Sequence, residues 1–532
     1  DLYFTNSSIY GFYKYYKADD RQAYADVMAN INKRFGDLSL SANIGGSFTQ
    51  TYYDERGFQG GLKDMSNVFS LYNMTTTLDK DTYPIESGYK QRTNSIFASV
   101  EIGWKSMLYM TLTGRNDWDS ALINTEQSSF FYPSIGLSGV ISEMVKLPKA
   151  ITYLKVRGSF ASVGAPIPKN LSSNKTYEWD PATSQWKLQT YRPLPKLYPE
   201  RTNSWEAGLN AKFFNNSLSL EVTWYKANTR KQTFQVPLSG TAVYATMYAQ
   251  SGNIENKGME FSLGYNKSWG DFSWNSNLTF SFNKNKIVEL LDDAVDDEGN
   301  HYSLNEIDKG GIGSAKVILR KGGSMGDMYV TNRLKRDNEG NVYIDKASQN
   351  VKKEDIKNSD EFIHIGSVLP KSNLGFRNDF SYKGISLGFM LAARFGGIVI
   401  SPTQAVMDQF GVSKVTALAR DNEGVPVNNG KVDPQTYYTE VGGISGLMSN
   451  YVYSATNVRL QELSVGYSLP AKWFNNKCNL SLSITGHNLW MIYNKAPFDP
   501  EATASTGTYY QGVDYFMQPS LRSWGFNVKI QF

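Results

Sequence analysis

Apolar and polar residues alternate with a period of two through run after run of this sequence, and each run is long enough to cross a bilayer at a tilt. In the run from Asn94, Ile96, Ala98, Val100, Ile102 and Trp104 share one face, while Ser99, Glu101 and Gly103 take the other. From Ser217, Leu218, Leu220, Val222 and Trp224 alternate with Ser219, Glu221 and Thr223. From Gly258, Met259, Phe261, Leu263 and Tyr265 alternate with Glu260, Ser262, Gly264 and Asn266. Such strands meet an apolar medium on one side and a polar one on the other. No stretch reaches the roughly 18 consecutive apolar residues of a membrane helix, so strands must do the spanning.

About fifteen such runs fall near 23–34, 38–50, 94–104, 107–115, 130–141, 151–163, 203–213, 217–232, 254–266, 271–285, 372–382, 385–395, 455–469, 478–491 and 520–532. Their connections alternate between short turns, such as Phe35-Gly36-Asp37 and Tyr382-Lys383-Gly384, and long segments, such as 51–93, 164–202, 286–371 and 396–454. Short turns on one side and long loops on the other are the habit of transmembrane β-barrels. A soluble sandwich has no reason to keep that asymmetry and rarely holds unstructured loops of this length. Small elements are expected inside 286–371, around Met328, Tyr329 and Val330.

Composition agrees. The 532 residues are 14% aromatic, yet mean hydropathy is only −0.42. An apolar-out, polar-in strand averages out as hydrophilic, and interfacial girdles consume aromatics. Trp104, Tyr132, Trp205, Trp224, Trp269, Trp274, Tyr382, Trp490 and Trp524 lie at strand ends, where a girdle is expected. A net charge of +4 over this length gives no reason to expect nucleic acid as a partner. Cys478 has no disulfide partner in the sequence, and His301, His364 and His487 lack metal-ligand spacing, so neither metal nor cofactor is expected and the chain does not read as an enzyme. The acidic run Asp292, Asp293, Asp296, Asp297 and Glu298 lacks the spacing of a calcium loop and reads as a solvated cluster.

The last run reads PSLRSWGFNVKIQF, with Trp524, Phe526, Val528, Ile530 and Phe532 on one face. An amphipathic strand ending on an aromatic resembles the signal by which barrels are recognised for membrane insertion. Residues 1–16, rich in Tyr and Phe, read either as the top of another strand or as an aromatic loop. Because single-chain bacterial barrels normally have even strand numbers, fifteen runs imply at least one more strand. The sequence starts on Asp1 with no export signal after it, which reads as a fragment whose signal lies upstream.

Several segments occur in an order that resembles one family. LTGRNDWDSAL (112–122) is followed by FFYPSIGLSGVISEM (130–144), YLKVRGSFASVGAP (153–166) and PERTNSWEAGLNAKFFNNSLSLEVTWY (199–225). Then come SGNIENKGMEFSLGY (251–265), ATNVRLQELSVGYSLP (455–470) and ITGHNLWMIYNKAPFDPE (484–501). Together they resemble the barrel of SusC/RagA-like TonB-dependent outer-membrane transporters. That resemblance implies a 22-stranded barrel of which residues 1–532 are the C-terminal portion, with the plug and first strands outside this sequence. It further implies a SusD-like lipoprotein lid, coupling to the TonB complex through the plug, import of a glycan or peptide, and a dimer of transporter and lipoprotein pairs. A passive pore or a surface adhesin remains the alternative on the residues alone.

Parity places Glu101, Arg115, Lys155, Arg157, Glu206, Glu221, Glu260, Arg377, Asp379 and Arg394 on the lumen side. Arg115 and Arg157 are candidate substrate contacts, though solvating the lumen or pairing with the plug would employ the same charges. In the proline-stiffened segment 164–202, Tyr177, Trp179, Trp186, Tyr191 and Tyr198 are candidates for stacking on a sugar or gripping a peptide side chain. Anchoring the loop or meeting the lid is the competing role.

Overall fold

Only extended chain sends successive side chains to opposite faces, so the alternation is realised as strands. The computed structural model describes residues 9–75, 82–123, 129–165, 177–180, 185–188, 191–192, 198–237, 246–295, 301–505, 507 and 511–532. Fifteen antiparallel strands within them follow one another in a single wall. They are β1 (Phe12–Phe35), β2 (Leu38–Gly61), β3 (Tyr83–Trp104), β4 (Leu108–Asp119), β5 (Phe130–Val140), β6 (Ile151–Ala165), β7 (Glu200–Phe213) and β8 (Leu218–Pro237). After these come β9 (Thr246–Trp269), β10 (Phe272–Glu289), β11 (Ser372–Tyr382), β12 (Ile385–Phe395), β13 (Asn457–Leu469), β14 (Asn479–Asn494) and β15 (Ser523–Gln531).

Each wall strand pairs with its neighbours in sequence, the up-and-down order of an outer-membrane barrel. Every expected run is one of these strands. Of the aromatic stretch at the start, Phe12 to Tyr16 form the upper end of β1 and pair with Gly61 to Gly57; residues 1–8 lie outside the described residues.

The short turns use backbone conformations that suit tight hairpins. Lys383 and Gly384 both have positive φ, 45° and 88°, as the turns that match strand twist require. The expected strict alternation of connection lengths is looser than the sequence suggested. The segment 141–150, on the short-turn side, carries the one-turn helix Ile141–Met144 and is longer than 238–245 on the opposite side.

Register fixes inside and outside, because directly opposed residues share a face. Leu220, Val222 and Trp224 oppose Leu263, Phe261 and Met259, which oppose Leu278, Phe280 and Phe282. On the other face, Glu221, Ser262 and Thr279 share one row, and Thr223, Glu260 and Ser281 the next. Most girdle residues point outward: Trp104, Trp205, Trp224, Trp269, Tyr382, Trp490 and Trp524 are exposed. Trp274 donates its indole N–H to Asn378 Oδ1 at 3.0 Å. Tyr132 corrects the expectation. It opposes Arg115 on the polar face and packs beside Phe130 and Leu122, so it does not belong to the girdle.

Long loops gather above the wall into a hydrophobic core of their own. Strands Glu306–Ile312, Ala315–Arg320, Asp327–Val330 and Ile363–Ser367 form a four-stranded sheet, which supplies the elements expected around Met328. Val317, Leu319, Met328 and Val330 are buried together with Ile400, Ala405, Met448, Tyr451 and Val513 from the later loops. Phe234, Ile254 and Ile287, from β8, β9 and β10, tie that core to the rim.

Candidate functional site

The polar face of the wall carries the candidate site. A cleft of about 750 Å³ lies over β6 to β11, with Arg157, Glu206, Glu221, Thr223 and Glu260 in its lining. Alternation on four neighbouring strands points all five the same way. Arg157 Nη2 donates to Thr223 Oγ1 at 2.7 Å and lies 3.1 Å from Glu221 Oε1. Among the described residues Glu206 and Glu260 have no ion-pair partner, so the cleft has more acceptor than donor character.

Arg115 lies on the same face but is already engaged. Its Nε donates to Asp117 Oδ1 and its Nη2 to Ser95 Oγ, both at 2.7 Å. Tyr132 opposes Arg115 and Ser138 opposes Arg157 along β5. The two arginines therefore sit at different heights and do not form one cluster.

The rim aromatics divide as well. Tyr177–Asp180 and Gln185–Leu188 pair as a hairpin with Trp179 opposite Trp186, and Trp186 is exposed. Tyr191 belongs to a two-residue strand running parallel to Thr246–Met247 at the upper end of β9. Tyr198 is pinned to the wall: its N–H donates to Gln250 Oε1 at 2.7 Å, and the Lys231 ammonium lies 3.9 Å from its ring centroid. Three candidates thus share a hairpin, while two line the rim.

Two lumen networks were not legible as networks, although parity places Arg377 and Asp379 on the lumen side. Arg377 grips Asp379 with both Nε and Nη2, at 2.9 and 3.1 Å, and reaches Glu462 with Nη1 at 3.3 Å. Higher on β13, Arg459 Nη2 lies 3.0 Å from Asp499 Oδ1 and 3.3 Å from Glu501 Oε2. Ser520 Oγ donates to Asp499 Oδ2 at 2.5 Å. A bulge in β13 and a left-handed Asn488 (φ 53°) in β14 make room for this cluster. Its only sequence signal is one arginine in VRLQEL and two acids in FDPE, 40 residues apart.

On the terminal strand, Trp524, Phe526, Val528 and Ile530 all lie on the outward face and are exposed, as is Phe532 just beyond.

A wall with one apolar and one polar face, tight turns at one end and folded loops at the other, defines the class of outer-membrane β-barrels. The chain belongs to the family described as TonB dependent receptor-like, beta-barrel, whose profile matches residues 1–314. It is similar to TonB-dependent receptor P3 of Formosa agariphila, 26% identical over 541 aligned positions covering 94% of this chain and 51% of that protein. It is also similar to TonB-dependent receptor SusC of Bacteroides thetaiotaomicron, 23% identical over 82% of this chain and 43% of that one. In fold it resembles the RagAB peptide importer in its open-open state, with a TM-score of 0.73 and 19% identity over 97% of this chain and 54% of the other. The chain thus spans about half the length of the curated relatives it matches.

Proposed function

We propose that the receptor to which this wall belongs imports an oligomeric polar nutrient, a glycan or a peptide, by TonB-driven transport in partnership with a SusD-like surface lipoprotein. The observation that carries this reading is the acceptor-rich cleft around Arg157, Glu206, Glu221 and Glu260, which faces the lumen beneath a folded loop cap. Carboxylates and one guanidinium on a fixed strand scaffold suit sugar hydroxyls, peptide N–H groups and amines. The exposed indole of Trp186 offers a stacking surface at the entrance. In this reading Arg157 touches substrate directly and Arg115 holds the wall. The strand from Trp524 to Phe532 directs membrane insertion.

The test is uptake by cells producing the full-length receptor. Import of labelled oligosaccharides or peptides is expected to require both the TonB complex and the lipoprotein. Uptake that persists without TonB would point to a passive pore, and surface binding without uptake to an adhesin.

A further inference from the structure

On the outward face of β8, β9 and β10, the apolar rows end abruptly in positive charge. Lys226, Lys257 and Lys284 oppose one another across the three strands, and Lys286 stands opposite Glu255 one row above. Lys226, Lys257 and Lys284 each lie two residues beyond, and so on the same face as, an exposed lipid-facing side chain: Trp224, Met259 and Phe282. Trp205 opposes Lys226 from β7, closing the patch with a second indole.

Height follows from the strand. Twelve residues of β9 separate the periplasmic-side Trp269 from Lys257, which is about 30 Å above it at the usual rise and tilt. The apolar band of an outer-membrane barrel is about 25 Å tall. These lysines therefore stand just above hydrocarbon, at the level of outer-leaflet headgroups, on top of an aromatic belt.

Their charge is not balanced by the protein. Glu255 is 3.0 Å from the Lys226 ammonium and 3.3 Å from that of Lys257. Lys284 and Lys286 are exposed, and among the described residues neither has an ion-pair partner. One row higher, Arg201, Arg230, Asn253 and Glu289 stand side by side and add two positive charges and one negative. Directly opposed like charges destabilise a sheet, and three lysines in one row call for an anion with several acceptors. On the lumen face, by contrast, both signs are interspersed.

We propose that Lys226, Lys257, Lys284 and Lys286 form a binding patch for the phosphate groups of an outer-leaflet glycolipid, whose acyl chains lie along the Met259 and Phe282 rows below. Ammonium to phosphate contacts are charge-assisted hydrogen bonds, and anionic membrane surfaces attract each such lysine appreciably. The patch fixes the height of the barrel in the membrane and anchors the strands that carry the cleft on their other face.

The experiment uses the full-length receptor, delipidated in mild detergent and titrated with phosphatidylcholine vesicles containing bisphosphorylated lipid A or the same lipid stripped of phosphate. Wild type is expected to prefer the phosphorylated lipid strongly. The variant Lys257→Gln/Lys284→Gln/Lys286→Gln should bind it on the order of 100-fold more weakly, while the corresponding triple Arg variant keeps the wild-type affinity. Millimolar inorganic phosphate should not displace the lipid. Equal binding of both lipids by wild type, or unchanged binding by the Gln variant, overturns the proposal. Displacement by inorganic phosphate also overturns it, because the site would then serve free anions. The wild-type comparison of the two lipids stays decisive even if the Gln variant fails to fold.

Discussion

Arg459 and Asp499 lie 3.0 Å apart, with only 5% and 10% of their side chains exposed, and the pair joins β13 to the loop that precedes the final strand. Removing Asp499 leaves the buried Arg459 guanidinium with only the partly exposed Glu501 carboxylate 3.3 Å away, and a buried charge that loses its main partner costs up to about 3–5 kcal/mol. Asp499→Ala should therefore release segment 495–522 before the wall melts. Limited proteolysis of the full receptor in detergent is expected to show a new cut within that segment, absent in wild type. If the variant resists protease as wild type does, the pair does not latch the loop.

Acid should act on the same latch. Burial alone would raise the Asp499 carboxyl, but the Ser520 hydroxyl, the Glu501 N–H and the Arg459 guanidinium outweigh it and hold the carboxyl below its ordinary range. A depressed folded-state value means the contribution is fully present above the unfolded value, near pH 4, and is lost as pH falls through the folded one. Loop protection should therefore be constant from neutrality to about pH 5 and decline below about pH 4. The Asp499→Asn variant should lack that acid step. Protease susceptibility against pH distinguishes the two.

Alternation identified the wall because side-chain parity on a strand is a local property, readable from neighbours alone. In Leu218 to Trp224 and Met259 to Tyr265 it therefore showed which side chains share a face before any register was known. The latch was not legible in this way: Arg459 looks like one more inward charge until a bulge and the left-handed Asn488 turn it toward Asp499. Tyr132 was misassigned because aromatics at a strand end satisfy an interface and a lumen cluster alike; only the pairing with Arg115 separates them. Segment 290–371 was opaque for a related reason, since its core is assembled from three loops far apart in sequence.

That loop core should be a cooperative unit. Leu319 is fully buried within it, and truncation of such a side chain costs about 2–5 kcal/mol. Leu319→Ala is expected to raise amide exchange throughout 306–367 while leaving β3 to β6 protected. Exchange confined to residues next to the substitution would show that the loops do not fold together.

Rim aromatics and cleft charges should separate in binding. Trp186 is exposed on its hairpin, so its replacement by Ala is expected to lower affinity by about 1–3 kcal/mol if ligand stacks there, a range typical of anchoring aromatics, without changing the melting temperature. Unchanged affinity in the Trp179→Ala/Trp186→Ala double variant removes the hairpin from the binding surface.

The assignment of faces makes the sharpest demand, because neighbouring residues must respond in opposite ways. Leu263 sits midway between Trp269 and Lys257 on β9, in the outward row with Leu220 and Leu278, whereas Ser262 is in the inward row with Glu221 and Thr279. An arginine in the outward row near the midplane costs about 2–4 kcal/mol. Inward, it meets water and the Glu221 carboxylate, and exposed pairs of that kind are worth about 0–1 kcal/mol in the favourable direction. Leu263→Arg should therefore lower the urea midpoint for folding into phospholipid vesicles, and Ser262→Arg should leave it nearly unchanged. A larger loss at Ser262 than at Leu263 would turn the wall inside out, and would place the carboxylates of Glu206, Glu221 and Glu260 against hydrocarbon, where they have no partners sufficient to keep them charged.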